Sequence, residues 1–255
     1  MNRGFVSFVG AGPGDPELIT HKGLRRLREA EVVLHDRLIP PPLLEEVSEG
    51  AIVVDVDKAP GRASVGQGHV NWLLVEWARR RERIVRLKGG DPAIFGRLGE
   101  EIEAVRSAGI AFEVIPGVTA ATAAAARLGI SLTERGSAAM VIFAEGSEQA
   151  GYPASIDWDL LARAEGTLAF YMAVDALDSI TASLTVLGRD PREPAIVVER
   201  AGVDGERVIA GRLGEIADEA RRAGVASPAV LLTGPTVAHA SVPLSVRRVL
   251  ARTEI

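Results

Sequence analysis

The sequence predicts an α/β fold built as two α/β domains, with a parallel sheet in the N-terminal one and a mixed sheet in the C-terminal one. Three observations carry this. Short apolar runs alternate with helical stretches through the first half, the rhythm of strands joined by crossover helices. Pro116-Gly117 breaks the rhythm, and it restarts after about Leu132. In the second half, two apolar runs flank Ala201-Gly202-Val203-Asp204-Gly205, the pattern of an antiparallel hairpin, so that sheet is not all parallel. The expected domains are residues 1–117 and 118–255, joined near 116–119.

The first element is an apolar run at 5–9, short enough for a buried strand, and it runs into Gly10-Ala11-Gly12-Pro13-Gly14. Three glycines in these five residues allow a sharp turn and a close approach of backbone to a ligand. Asp15-Pro16 reads as a helix start, and Thr20 offers a capping oxygen one turn later. Further strands are expected at 31–34, 51–56, 83–87 and 111–115, with helices at 21–28, 42–48, 69–80 and 99–108 between them. The alanine-rich stretch 120–127 reads as a helix at the junction. Beyond it, strands are expected at 138–143, 167–172, 195–198, 206–210 and 229–233, and helices at 159–164, 176–187 and 213–223.

Composition narrows the function. The chain has 255 residues, 47% of them apolar, enough for a real core. It has no cysteine, hence no disulfide, thiolate nucleophile or iron–sulfur ligand. His21, His35, His69 and His239 are scattered, and no metal site is expected. A formal charge of −5 argues against a broad basic face for nucleic acid, and 4% aromatic residues argue against a base-stacking platform. No apolar run approaches the eighteen or so residues of a membrane span, and no segment at the start reads as a signal peptide. A cytoplasmic protein without membrane or nucleic-acid partners is expected.

Ligands in open α/β sheets bind beyond the carboxyl ends of the strands. The chemically unusual clusters of the first half all fall there. They are the glycine loop, His35-Asp36-Arg37-Leu38, Lys58 with Gly61 and Arg62, Arg86-Leu87-Lys88-Gly89-Gly90-Asp91-Pro92, and Pro116-Gly117-Val118-Thr119-Ala120. The glycine loop is not a familiar phosphate cradle. The dinucleotide fingerprint needs a third glycine two residues further on, and the mononucleotide loop a Gly-Lys-Ser/Thr ending. Asp15 would also repel a pyrophosphate. Each cluster alone is compatible with a turn; five in succession point to a site.

This set resembles the class III S-adenosylmethionine-dependent tetrapyrrole methylases. The resemblance rests on the loop 10–20, Asp36-Arg37-Leu38, Arg86-Leu87-Lys88-Gly89-Gly90-Asp91-Pro92-Ala93-Ile94-Phe95-Gly96 with Glu100-Glu101, and Gly117-Val118-Thr119-Ala120-Ala121. Weaker echoes are Leu132-Thr133-Glu134-Arg135, Phe170-Tyr171-Met172 and Ser227-Pro228-Ala229. Coverage runs in order from about residue 5 to about 234. Asp36-Arg37-Leu38 favours the branch acting on uroporphyrinogen III over later corrin-pathway methylases and the related ribosomal RNA methylases.

The resemblance implies an active site in a cleft between the two domains. There Pro13, Gly89, Gly90, Asp91, Ile94, Thr119 and Ala120 would bind the cofactor S-adenosyl-L-methionine, completed by Met172, Ala201 and Ala229. The product of that cofactor is S-adenosyl-L-homocysteine. It has no phosphates, which suits a neutral glycine loop beside a carboxylate. Asp36 is implied as proton acceptor, and Lys58 as donor or carboxylate anchor. Arg37, Arg62, Lys88, Arg97 and Arg135 would meet the carboxylates of an acidic tetrapyrrole. The activity implied is C-methylation of uroporphyrinogen III to precorrin-2, the entry to sirohaem, cobalamin and haem d1, by a homodimer. A methylase of a later precorrin or another acidic tetrapyrrole, and a non-catalytic cofactor- or tetrapyrrole-binding protein, stand as alternatives. The chain's length leaves no room for a second enzyme, so oxidation and metal insertion are expected elsewhere.

Four positions depart from the family pattern. Phe143-Ala144-Glu145-Gly146 stands where a Thr-Gly-His is usual, Thr133-Glu134 where a Thr-His is, Leu98-Gly99 for a glycine pair, and His35 for a tyrosine. The substrate side therefore departs further from the family than the cofactor side.

Overall fold

The computed structural model describes residues 4–57, 66–146, 156–203 and 205–241. The chain divides into two compact units, Met1–Thr119 and Ala120–Ile255.

The first unit runs β1 (Phe5–Gly10), α1 (His21–Glu29), β2 (Val32–His35), α2 (Pro41–Leu44), β3 (Ile52–Asp55), α3 (Gln67–Ala78), β4 (Arg83–Lys88), α4 (Leu98–Ser107) and β5 (Ala111–Ile115). Its strands lie in the order β3-β2-β4-β1-β5, and every pairing is parallel. Parallel strands are covered on both faces, so their side chains divide by alternation between two cores. Val6, Phe8, Val32, Leu34 and Ile84 face α3 and α4 through Leu74 and Val105. Val9, Val33, Val85 and Leu87 face α1 and α2 through Leu27 and Leu43. Phe8 is fully buried, with its ring edge-on to Phe112 at 6.0 Å. Helix α1 starts where the sequence predicts, because the Thr20 hydroxyl accepts the Gly23 amide at 3.0 Å. One expectation fails locally. The helix predicted at 42–48 is a single turn, and the Glu46 and Val47 amides bond three residues back, to Leu43 and Leu44. The closure tightens to three-residue spacing at Glu46 and Val47, and Gly50, with φ of +87°, turns the chain away.

The second unit runs α5 (Ala120–Leu128), β6 (Val141–Glu145), α6 (Trp158–Arg163), β7 (Thr167–Tyr171), α7 (Leu177–Val186), β8 (Pro194–Glu199), β9 (Arg207–Arg212), α8 (Ile216–Arg222) and β10 (Ala229–Thr233). The sheet order is β6-β7-β10-β8-β9. Only β6 and β7 pair in parallel; the remaining pairs are antiparallel, including the predicted β8–β9 hairpin. One face packs Leu168, Phe170 and Leu231 against Ile180, Leu184 and Leu213, with Trp158 stacked at 6.1 Å on Phe170. The other packs Ala169, Ile196, Val198 and Leu232 against Ala121, Ala124 and Leu128 of α5. β6 begins three residues later than predicted, because Ala138 is taken into a tight turn: its carbonyl accepts the Glu134 amide at 2.8 Å across Gly136, whose φ is +83°. Among the described residues, no helix is long and apolar enough to cross a membrane, and no group of three or more His, Asp or Glu is placed to hold a metal ion.

Candidate active site

Because every strand of the first sheet runs the same way, the loops after β1, β2, β4 and β5 all emerge at one edge. There the glycines are locked to one another. The Ala11 amide donates to the Lys88 carbonyl at 2.8 Å, and Gly12 and Gly90 exchange backbone bonds at 3.2 and 2.7 Å. A methyl group on Gly117 would lie 2.2 Å from the Gly90 carbonyl oxygen and 2.9 Å from the Gly10 Cα. Glycine is therefore demanded at 117 by close backbone packing of the three loops. By contrast, among the described residues a Cβ on Gly89 would meet nothing within 4 Å, and one on Gly90 would meet only the Thr119 Cα at 4.0 Å. Among the described residues, the outer side of the β4 loop is thus open, next to Thr119.

Asp91 staples this edge. One carboxylate oxygen accepts the Ala93 amide at 2.8 Å, and the other accepts the Gly117 amide at 2.9 Å. Asp15 does similar local work, accepting the Glu17 amide at 2.9 Å. Ile94 is half-buried, and next to it Phe95 and Arg97 both adopt left-handed backbone, with φ of 50° and 51°. Non-glycine residues held in that region concentrate at functional loops.

Behind the loops runs a chain of four charges. Asp36, just past β2, accepts from Nη2 of Arg86 and, at 3.3 Å, from the Gly89 amide. Arg86 Nε donates to Glu101 at 3.0 Å, and Lys88 Nζ donates to the other Glu101 oxygen at 2.9 Å. Burial alone would lower Arg86, but the carboxylates of Asp36 and Glu101 hold it above its ordinary value. Lys88 is lowered, first by burial and then by the neighbouring Arg86.

This placement corrects one expectation. Lys88, predicted among the cations that meet substrate carboxylates, is 3% exposed and committed to Glu101. It is a structural counter-ion. Arg37 is exposed, and its amide donates to Asp57 at 2.7 Å. Arg97 is exposed and grips Glu100 with two N–H groups at 2.8 and 2.9 Å. Lys58 and Arg62 lie outside the described residues. His35 is buried, with Nδ1 2.9 Å from the Asp36 carbonyl oxygen. Arg86 and Glu101, which hold Asp36, were given no role by the sequence reasoning. The available signal was the spacing of Arg86 and Lys88 on one face of an otherwise apolar parallel strand, which requires a buried anion nearby.

In the second unit, four predicted residues gather at one end of its sheet. Met172 follows β7, Ala201 follows β8, and Ala229 opens the antiparallel β10, opposite Glu199. Ala120 opens α5, whose Ala121 amide donates to the Tyr171 hydroxyl at 3.2 Å. Met172 is 41% exposed with φ of 52°, so it is not an ordinary core methionine. Arg135 is exposed in the turn closed by Glu134 and Ala138.

Known proteins agree with this architecture. The profile of the Tetrapyrrole (Corrin/Porphyrin) Methylases matches residues 6–217. A siroheme synthase of Gluconacetobacter diazotrophicus is 44% identical over 236 residues, covering 92% of this chain and 50% of that protein. The chain spans about half the length of the curated relatives it matches. The crystal structure of uroporphyrin-III C-methyltransferase from Thermus thermophilus complexed with S-adenyl homocysteine is 41% identical, with a TM-score of 0.80 over 92% of this chain and 99% of that one. A cobalt precorrin-4 methyltransferase is 28% identical, with a TM-score of 0.81 over 90% and 94%. Profile, identity and fold together place the chain: it belongs to the tetrapyrrole (corrin/porphyrin) methylases.

Proposed function

We propose that this chain transfers methyl groups from S-adenosyl-L-methionine to ring carbons of uroporphyrinogen III, giving precorrin-2. The observation that carries the reading is the Asp36 carboxylate, fixed by Arg86 at the lip of the open Gly89-Gly90 loop, in a chain 41% identical to a uroporphyrin-III C-methyltransferase. The residues fit the cofactor. Among the described residues nothing crowds Gly89, which would let a ligand lie against bare backbone, and the neighbouring charged group is a carboxylate, suited to an ammonium or hydroxyls rather than to phosphate. Pro13, Gly89, Gly90, Asp91, Ile94, Thr119 and Ala120 would hold it, with Met172, Ala201 and Ala229. When bound, it supplies an electrophilic sulfonium methyl.

The chain's own work is alignment and proton transfer. Holding two reactants in line lowers such a barrier by roughly 7–11 kcal/mol in favourable cases. Asp36 accepts the proton that the alkylated macrocycle must lose. Lys58 acts as donor or carboxylate anchor. Arg37, Arg62, Arg97 and Arg135 receive the substrate carboxylates. The protein works as a cytoplasmic homodimer without nucleic-acid or membrane partners.

Methylation of a later precorrin is the second reading, supported by the fold likeness to the cobalt precorrin-4 enzyme and by the departures at His35, Leu98-Gly99 and Glu134. One incubation decides. Enzymatically generated uroporphyrinogen III is supplied with S-adenosylmethionine, and product mass is followed in steps of one methyl group. Two additions support the first reading. No addition to uroporphyrinogen III, but some to a later precorrin, supports the second. Cofactor binding without turnover on any tetrapyrrole would make the protein a carrier.

A further inference from the structure

Three charged side chains of the first unit are too deeply buried to touch any ligand, yet their chain ends on the one carboxylate of the four groups that reaches the surface. In the series Lys88, Glu101, Arg86, Asp36, the side-chain exposures are 4%, 0%, 4% and 28%. Arg86 is held from every side. Nε meets Glu101, Nη1 meets the carbonyls of Leu34 and Leu87 at 3.4 and 3.3 Å, and Nη2 meets Asp36. Glu101 is held as firmly, by Arg86, by Lys88 and by Gln67 Nε2 at 3.2 Å. The guanidinium plane is therefore set by acceptors on β2, β4 and α4 and cannot turn independently of them. One Asp36 oxygen is pinned by it. The other takes only a long bond from Gly89 among the described residues, and faces the open loop.

We infer that Arg86 and Glu101 are a positioning pair that fixes the direction of the Asp36 carboxylate, an inference that rests on the proposed role of Asp36 as proton acceptor. A buried ion chain is a poor device for stability, since apolar residues of similar volume often serve as well or better. It is a good device for direction. The planar fork of arginine ties two carboxylates into one geometry, which the point charge of a lysine does not. Glu101 anchors the fork from behind, so that Asp36 presents a single oxygen outward.

The test compares wild type, Arg86→Lys and the double variant Arg86→Gln/Glu101→Gln. The double variant removes one charge of each sign and leaves the net charge of the cluster unchanged, although Lys88 loses its carboxylate partner. Expected is a fall in kcat of roughly 10–100-fold in both, the range for partners that orient a reacting group. KM and the dissociation constant for S-adenosylhomocysteine stay within about threefold. Wild-type kcat in either variant would overturn the inference, and so would a loss confined to KM. Two measurements need no turnover, and the first needs no variant. In the wild type, the Arg86 guanidinium should show restricted rotation by 15N NMR; free rotation overturns the inference. The Gly89 amide resonance should move in whichever variant is folded, because its acceptor has turned; an unmoved resonance overturns it too. Should the wild type methylate no tetrapyrrole, the functional reading fails while these NMR results still decide the positioning role.

Discussion

Replacing Glu113 by glutamine perturbs a second charge cluster, on the edge strand β5, whose strength follows from its geometry. Glu113 accepts from Lys22 Nζ at 2.6 Å, Arg26 Nε at 2.6 Å and the Ser7 hydroxyl at 3.1 Å. Burial pushes its carboxyl up, but these three partners more than reverse that and bring it from 4.5 to about 2. At 1.36 kcal/mol per pH unit, such a lowering corresponds to about 3 kcal/mol as a ceiling. Lys22 and Arg26 are 49% and 34% exposed, so solvent screening reduces the working figure to about 1–2 kcal/mol. The sign is that of a depressed carboxyl. The contribution is complete above pH 4.5 and is lost as pH falls from there toward 2. Urea unfolding of wild type and Glu113→Gln, followed by circular dichroism between pH 7 and pH 3, measures it. The two proteins should differ by about 1–2 kcal/mol at pH 7, with the gap closing as the solution is acidified. A gap that is absent at pH 7, or that holds constant down to pH 3, would refute the reasoning.

Three further outcomes are expected. Gly117→Ala forces a methyl to within 2.2 Å of the Gly90 oxygen, so it should cost about 1–3 kcal/mol in thermal unfolding and weaken S-adenosylhomocysteine binding in calorimetry by displacing the β4 loop. Thr20→Ala removes the hydroxyl that caps α1 and should cost about 1 kcal/mol, with S-adenosylhomocysteine affinity unchanged; a loss of affinity would show that the cap also shapes the loop before it. Asp36→Ala should abolish turnover while leaving cofactor affinity nearly intact; a large affinity loss would reassign Asp36 to the cofactor.

What was legible in the sequence was what short-range chemistry decides. The apolar runs, the Thr20 cap and the glycine loops announced the strand ends of the first sheet, and the turn residues at 201–205 announced the hairpin. Charge was harder to read. A lysine beside two glycines looks like a free cation until Glu101, thirteen residues away on another element, turns out to hold it. Asp91 looked like a group for the ligand and also proves to be a staple for Gly117, because the partner amide lies twenty-six residues on. Met172 could be named by motif, but no local pattern announces its left-handed backbone. Helix α2 and the start of β6 shifted for a related reason: tight turns at 43–47 and at Gly136 took residues that hydrophobic periodicity had assigned elsewhere.

The one-way run of the first sheet also has an engineering consequence. With the chemistry gathered where the strands finish, the places where they begin are free of it: Ala30-Glu31 before β2, Ser48 to Ala51 before β3 and Ala108 to Ile110 before β5 carry none of the residues discussed as ligand-facing. Of these, Ser48-Glu49-Gly50 is exposed, and exposed stretches of small and polar residues are where foreign segments are best tolerated. The turn at Ser48-Glu49-Gly50 is thus the natural place to graft an affinity tag or a fluorescent reporter, at a distance from the reacting end.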